Sequence, residues 1–534
     1  MARKTLGREG CRTAGRWLVM GLLAMAPAWT FGQMIDKTQA PNAANDGINK
    51  SLAEEVGAGR GNWMTPDSAS FIISRDPFRA IRRGRQIFQR KFTRVEQQGP
   101  GVQDGIGDMN TVIAIGAGLS DSCAGCHGRP RGAAGTGGDV VTRPDSRDTP
   151  HLFGLGLKEM LADEITGRLR QIRSAAILAA QSSGTAVTRP LVAKGIDYGS
   201  IMASPDGSVD TSGVRGVDPD LRVRPFFAHG GTISIREFVV GALHAEMGLD
   251  AADPDLARAN AGGQIVTPAG MVLDGHLDRV EAAPVPNPAF DPDGDVSGNE
   301  VSTALVDYLE FYLLNYFKPA TYRQTHLTRK GLRTFEDVGC ASCHVPDLPL
   351  DRDRRVADVE TVYDPQHGIL NNLFATATPL FDSVADGSGY PPLKRPKLQP
   401  FLVRNIFTDF KRHDLGAYFY ERNWDGTLQK QFLTRPLWGV GGKVAYGHDG
   451  RSINLTEVIL RHGGEAEESR NAFAALGEEK QQAILAYLNS LVLFPPDDTA
   501  SNLDPGDPSA EFFPQFGHGS IKLTGLFNDP TDKE

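Results

Sequence analysis

Apolar residues recur at helical spacing in a limited set of segments. In FRAIRRGRQIFQRKF, Phe78, Ile81, Phe88 and Phe92 fall roughly on one face, with arginines and a lysine on the other. That pattern predicts a helix over 78–92 whose basic face is solvated. The same period predicts helices over 154–180, 233–247, 301–317, 322–338, 455–462 and 478–492. Residues 182–231 and 345–400 lack it, and Pro391, Pro392, Pro396 and Pro400 mark the second stretch as loop. Few segments alternate with period two. The expectation is a mainly α fold with long loops.

The pattern also repeats. Cys123-Ala124-Gly125-Cys126-His127 recurs as Cys340-Ala341-Ser342-Cys343-His344. Downstream, TPHLFGLG (149–156) recurs as TRPLWGVG (434–441), with the spacing from motif to repeat far longer in the second copy. Two copies point to an internal duplication, since a solenoid would need three or more. The divisions that follow are an N-terminal domain over 75–318, a C-terminal domain over 319–494 and a Pro/Asp-rich tail over 495–534.

Composition adds two constraints. The chain has 534 residues, a net charge of −9 and five cysteines, with 60 glycines and 34 prolines. This is ordinary for a globular protein and excludes a polytopic membrane protein. The acidic balance leaves no nucleic-acid footprint. Residues 1–28 read as a signal peptide. Arg3, Lys4, Arg8, Arg12 and Arg16 precede a short apolar run from Trp17, and Ala26-Pro27-Ala28 offers a cleavage site. Residues 29–74 would then form an N-terminal arm. Export implies an oxidising compartment such as the bacterial periplasm, and a mature form with no integral membrane span. Cys11 would leave with the leader, which would make the mature chain still more acidic and would suit steering by a basic redox partner.

The remaining four cysteines carry the chemistry. Cys-x-x-Cys-His attaches c-type haem: thiols one helical turn apart reach two vinyl groups of one porphyrin, and the adjacent histidine meets the iron. Two such motifs predict two covalent haems, held by Cys123, Cys126 and His127 and by Cys340, Cys343 and His344. A single zinc site built from both Cys-x-x-Cys pairs competes, but it leaves the two histidines unexplained. The sixth iron ligands would decide between electron transfer and peroxide chemistry. His462 ends a predicted helix before two glycines. From spacing alone it reads either as a helix-end histidine complementing the dipole or as one aimed into a pocket.

The paired motifs, PLWGVG, FEDVGCASCHVPDL, FTDFKRHDLG and YGHDGRSINLTEVILRHGGEA resemble the bacterial di-haem cytochrome c peroxidase superfamily, in particular its di-haem "thiol oxidoreductase" branch. The resemblance covers roughly residues 75–495 and implies two cytochrome c-like domains. It implies that His462, fourteen positions after His448, ligates the C-terminal haem iron opposite His344, with His448 lining the space between the haems. It also implies an acid and a polar side chain over a peroxide-binding N-terminal haem. Glu246 and His244 are the counterparts, acting as an acid–base pair, while Met247 is the alternative as a direct sulfur ligand to that iron. Each also has a plainer reading, Glu246 as an exposed helix-end acid and Met247 as a core residue. His413-Asp414 matches the branch's HD-x-G motif. His151 stands where the second copy has Pro436, which argues against its being a required ligand.

Asp291, Asp293 and Asp295 form a hard-oxygen cluster suited to Ca²⁺, or a solvated acidic turn. The loop lacks the glycine and final glutamate of an EF-hand. The functional expectation is a periplasmic di-haem oxidoreductase reducing peroxide at the N-terminal haem, with electrons relayed through the C-terminal one. A small cytochrome c or cupredoxin, or an oxidisable substrate, would supply the electrons. The alternatives are a pure electron-transfer cytochrome and an oxidase acting on a partner protein or organic substrate.

Overall fold

A computed structural model describes residues 52–90, 92, 122–127, 138–139, 145, 147–284, 301–316, 320–321, 324–362, 374–443 and 445–492, all within one compact unit spanning 34–534. The expected leader, the expected tail and the Asp291, Asp293, Asp295 cluster lie outside the described residues.

The helical period located the principal helices well. They run Pro77–Gln89, Leu155–Ser183, Ile235–Ala242, Thr303–Asn315, His326–Asp337, Leu455–Arg461 and Glu478–Asn489. Two pairs of them cross tightly, each at a glycine. Pro77–Gln89 packs on Thr303–Asn315 at Gly84, where a Cβ would overlap the Tyr308 carbonyl and Tyr312. His326–Asp337 packs on Glu478–Asn489 at Gly331, where a Cβ would overlap the Ala483 carbonyl and Tyr487. The glycines of the repeated octapeptide act in the same way: Gly156 abuts the Leu314 carbonyl and Gly441 the Asn489 carbonyl. The absence of a side chain lets one backbone lie directly on another.

The expectation of a mainly α fold made of two cytochrome c-like domains is corrected. Small antiparallel sheets run through the chain between the helices, and the fold is mixed α/β. All but one of the sheets have two strands. The exception pairs Val187–Ala193, Ile196–Ala203 and Val209–Asp210 within a stretch read as loop. Its first two strands are joined by Lys194-Gly195, both at positive φ (50° and 80°), the conformation a two-residue hairpin turn demands. Leu191, Ala193, Ile196, Tyr198, Ile201 and Ala203 are buried, and the hairpin packs on the Leu155–Ser183 helix. Pro190 is tolerated because its strand is at the sheet edge. In the 345–435 stretch, Leu348–Leu350 pairs with Phe401–Val403, and Arg412–Asp414 with Gln431–Leu433. Strands this short show too little alternation to register as a period. Within the expected arm, Leu52–Val56 and Ala69–Arg75 are helical, with Ala69 and Ile72 buried.

The buried apolar residues fall into two clusters. The larger joins the Pro77–Gln89, Leu155–Ser183, Ile235–Ala242 and Thr303–Asn315 helices. The smaller gathers Phe335, Phe407, Tyr446, Phe473, Ile484, Tyr487 and a few neighbours around the second helix crossing. A buried ionic knot lies inside the larger one. Fully buried Arg236 meets Asp307 at 2.9 Å, Glu310 at 2.7 Å and Asp253 at 2.7 Å.

Candidate haem site

One cavity of about 1010 Å³ runs between the two apolar clusters, at the upper end of the roughly 300–1,000 Å³ range of small-molecule sites. Cys123, Cys126, His127, His244, Glu246, Met247, Cys340, Cys343, His344 and His462 all line it. Every described candidate from the sequence therefore faces the same space, although they are spread over more than half the chain.

The two motifs are presented alike. Cys123–His127 forms a single helical turn, and Cys340–Ser342 a 3₁₀ turn closed by a His344 N–H to Cys340 carbonyl bond of 3.0 Å. His127 Nδ1 donates to the Pro150 carbonyl at 2.7 Å, and His344 Nδ1 to the Phe407 carbonyl at 3.0 Å. A carbonyl can only accept, so each Nδ1 carries the proton and each Nε2 keeps its lone pair. Burial pushes both imidazoles down to about 4, which keeps them neutral. A neutral imidazole held by its other nitrogen is the form that binds a metal. An aromatic ring flanks each: Phe238 lies 6.3 Å from His127 and Phe335 lies 6.2 Å from His344.

The Phe407 anchor is conformationally unusual. Asn405, Phe407 and Phe410 all have positive φ (54°, 56° and 56°), clustered in one short segment beneath His344. Non-glycine residues in that region mark stored strain at sites whose surroundings hold them there.

His462 is held in the same way. It caps the Leu455–Arg461 helix, which Asn454 starts by accepting the Glu457 N–H at 2.8 Å. Its Nδ1 donates to the Val458 carbonyl at 2.6 Å, leaving Nε2 toward the cavity, with Phe419 edge-on at 5.3 Å. Burial again lowers its pKa.

On the N-terminal side the helix changes character. Ile235–Ala242 is opened by a capping box, in which Ser234 and Glu237 satisfy each other's backbone N–H groups. It then widens into a π turn over Leu243–Met247, whereas the sequence pattern predicted one continuous helix to 247. Such turns are often found at functional sites. This one carries all three candidates. His244 Nδ1 bonds Asp250 at 2.8 Å, Glu246 is half-buried on the cavity wall, and Met247 Sδ lies 3.9 Å from Cys123 Sγ.

The four cysteines are free thiols. Burial pushes Cys123 up to about 12 and Cys340 up to about 11. The four do not converge on one point. Among the described residues the single converging set of metal-capable side chains is Cys343, Asp409 and His413. There His413 is bracketed by Asp409 at 2.8 Å and Glu465 at 2.7 Å. Burial opposes its charge, but the hydrogen bonds to Asp409 and Cys343 and the charges of those two groups raise it to about 11. It is clamped between two carboxylates beside the second motif.

Two further histidines line the cavity in different settings. His151 Nε2 donates to the Trp438 carbonyl at 2.7 Å, so its proton is used in bridging the two octapeptides. His448 is buried, stacks on Phe432 at 3.9 Å, and has Nε2 3.3 Å from Glu421, which in turn pairs with Arg147 at 2.7 Å. Sequence reasoning missed the carbonyl anchors, Asp250 and the π turn. Only tertiary structure brings Pro150 and Phe407 under their histidines.

The chemistry of this donor set fits two haems: four thiols in two pairs, three neutral imidazoles each with one nitrogen committed, and a large apolar cavity joining them. Residues 353–491 match the family described as "Di-haem oxidoreductase, putative peroxidase". The matched stretch begins after the second motif and contains His413, PLWGVG, the HDGR segment and His462. The chain is thus similar to di-haem oxidoreductases, as its motifs led us to expect, and that family carries haem. No curated protein matches the chain. Among solved structures, a chain from Kuenenia stuttgartiensis hydrazine synthase pressurised with xenon is 17% identical over 36% of this chain and 57% of that one, with a TM-score of 0.20. At that score the likeness carries no argument. No described helix is long and apolar enough to cross a membrane.

Proposed function

Starting from its likeness to di-haem oxidoreductases, we propose that this protein is a periplasmic di-haem c-type oxidoreductase of peroxidase type. It takes electrons from a small redox protein and reduces peroxide on the N-terminal side of the cavity. The observation that carries this reading is the matched pair of imidazole anchors. His127 and His344 each follow a Cys-x-x-Cys pair, each gives its Nδ1 proton to a backbone carbonyl, and both line one cavity.

Each thiol would add across a vinyl group, with sulfur bonding one carbon and the thiol hydrogen passing to the other, so attachment needs no oxidant. When bound, haem supplies an iron that exchanges single electrons and offers a coordination position to a small oxidant. The residues set which side does what. His344 and His462 would give the C-terminal iron two fixed imidazoles, suiting it to electron relay. On the N-terminal side the π turn presents His244 and Glu246. His244 holds its Nδ1 proton toward Asp250, which leaves Nε2 to take a proton from peroxide. Glu246, on the same turn, is placed to return a proton to the departing oxygen. The overall change is peroxide plus two electrons and two protons to two waters. Met247, against Cys123, is packing for the attachment edge in this reading.

The test has two stages. A pyridine haemochrome assay on the exported protein is expected to give two covalent haems per chain. The Cys123→Ala, Cys126→Ala double variant is expected to keep one. A wild-type protein without covalent haem overturns the reading. Stopped-flow mixing of the reduced protein with hydrogen peroxide is then expected to show rapid oxidation with one peroxide consumed per two electrons. An unreactive, wholly low-spin protein would make it an electron carrier instead.

A further inference from the structure

The wall between the two motifs carries two cations that no described residue pairs with. Lys158 lies in the first turn of the Leu155–Ser183 helix, a turn with no acidic residue. A helix start already carries partial positive charge and favours anions, so a lysine there is doubly misplaced. Its ammonium has no hydrogen-bonding or ion-pair partner among the described residues and rests 5.4 Å over the Phe226 ring. Arg435, in the second octapeptide, faces the same cavity and is likewise without an ion pair or hydrogen bond among the described residues. The two are close enough to repel. Burial and then Arg435 push Lys158 down to about 7, and burial lowers Arg435 as well.

The nearby carboxylates are committed elsewhere. Asp148 pairs with Lys443, Glu421 with Arg147, and Asp449 with Arg461. Arg435 also lies outside the scheme the two octapeptides share, because the first copy has Pro150 in its place. Asp148, Glu421 and Asp449 act on Arg435 only through space, so neither cation has a hydrogen-bonded counter-charge of its own among the described residues, and an anion entering the cavity would supply it. A guanidinium fork and an ammonium at a helix start are together suited to carboxylate.

We propose that Lys158 and Arg435 form a carboxylate clamp that takes the propionate groups of the porphyrin bound in this cavity. The inference rests on the haem reading above and adds to it a site for the polar edge of the group, on side chains other than the thiols and the candidate ligand imidazoles. The clamp has an electrical consequence. A cation pair near the porphyrin favours the reduced iron, so removing one member makes that iron easier to oxidise.

Spectroelectrochemical titration of the purified holoprotein tests this, with haem content measured in parallel. Lys158→Met and Arg435→Gln should each retain two covalent haems. Each should shift one of the two midpoints negative by about tenfold in the one-electron equilibrium constant, about 59 mV. Arg435→Lys should recover most of that shift. Unchanged midpoints in both variants, with two haems still present, overturn the clamp while leaving the haem reading intact. Absence of haem from the wild type overturns the haem reading itself. Acetate and succinate are added to the wild type as free carboxylates. A saturable spectral shift that Arg435→Gln abolishes would assign the clamp to a soluble carboxylate and overturn its assignment to the porphyrin. No such shift is expected.

Discussion

The surroundings of the two Cys-x-x-Cys-His motifs share a plan but not a foundation. Around each, a helix pair crosses at a glycine, an octapeptide glycine abuts a backbone carbonyl, and the motif histidine donates to a carbonyl. The N-terminal motif sits on the larger apolar cluster, reinforced by the long Leu155–Ser183 helix, its hairpin and the Arg236 knot. The C-terminal motif has a small cluster and walls made largely by the cavity itself. Conversely, the C-terminal side offers a fixed second imidazole in His462, where the N-terminal side offers a π turn with a histidine and an acid. In the function proposed above, the better-founded side would be the one whose distal chemistry is left open, since a binding position that must stay exchangeable could not help to hold its own surroundings.

This asymmetry can be broken in graded ways. The largest change is expected from His462→Ala. Half of the haem signal should turn from low-spin to high-spin by EPR while covalent haem content stays at two, and an unchanged spectrum would refute the ligand. Next, Arg236→Met takes the cation from Asp253 and Glu310, leaves Asp307 with Arg60 alone, and should cost about 3–5 kcal/mol in urea denaturation. A loss below about 1 kcal/mol would mean that the knot does not support the N-terminal side. Gly84→Ala and Gly331→Ala should each cost about 1–3 kcal/mol by overpacking a helix crossing. The Gly331 variant should loosen its own side first, read as faster hydrogen exchange over 326–344 than over 77–127. The smallest contrast is between polar ties across the two crossings. Arg83 Nη1 donates to Tyr308 Oη at 2.8 Å in a buried setting, and Tyr308→Phe should cost roughly 1–2 kcal/mol. Lys330 and Glu479 pair at 2.6 Å on the surface, and Glu479→Gln should leave the thermal midpoint unmoved.

Much of the site is legible in the amino-acid sequence. Covalent attachment imposes a fixed local spacing, so both motifs stand out in the chain, and the helices around them are long enough to show their period. His462 becomes a candidate through resemblance, and the geometry places it on the shared cavity with Nε2 free. What stays hidden depends on contacts between distant segments. Phe407 carries no sign in the sequence that its carbonyl will meet His344. Lys194-Gly195 is a brief turn signal, and the strands beside it read as loop because Pro190 interrupts their alternation. Lys158 reads as an ordinary helix lysine, and only the fold sets Arg435 across the cavity from it. The fold class is misjudged for the same reason: strands of two to eight residues leave almost no periodic trace.

The left-handed segment beside His344 links the shape of a loop to the orientation of a side chain. Its backbone is held uphill at Asn405, Phe407 and Phe410, by roughly 1–3 kcal/mol at each such residue. The ties that hold it there are the Ile406 and Phe407 N–H groups on the Pro346 carbonyl, the Thr408 N–H on the Val345 carbonyl, and the His344 imidazole on the Phe407 carbonyl. Releasing the strain would turn that last carbonyl away, so the loop and the imidazole are aimed together.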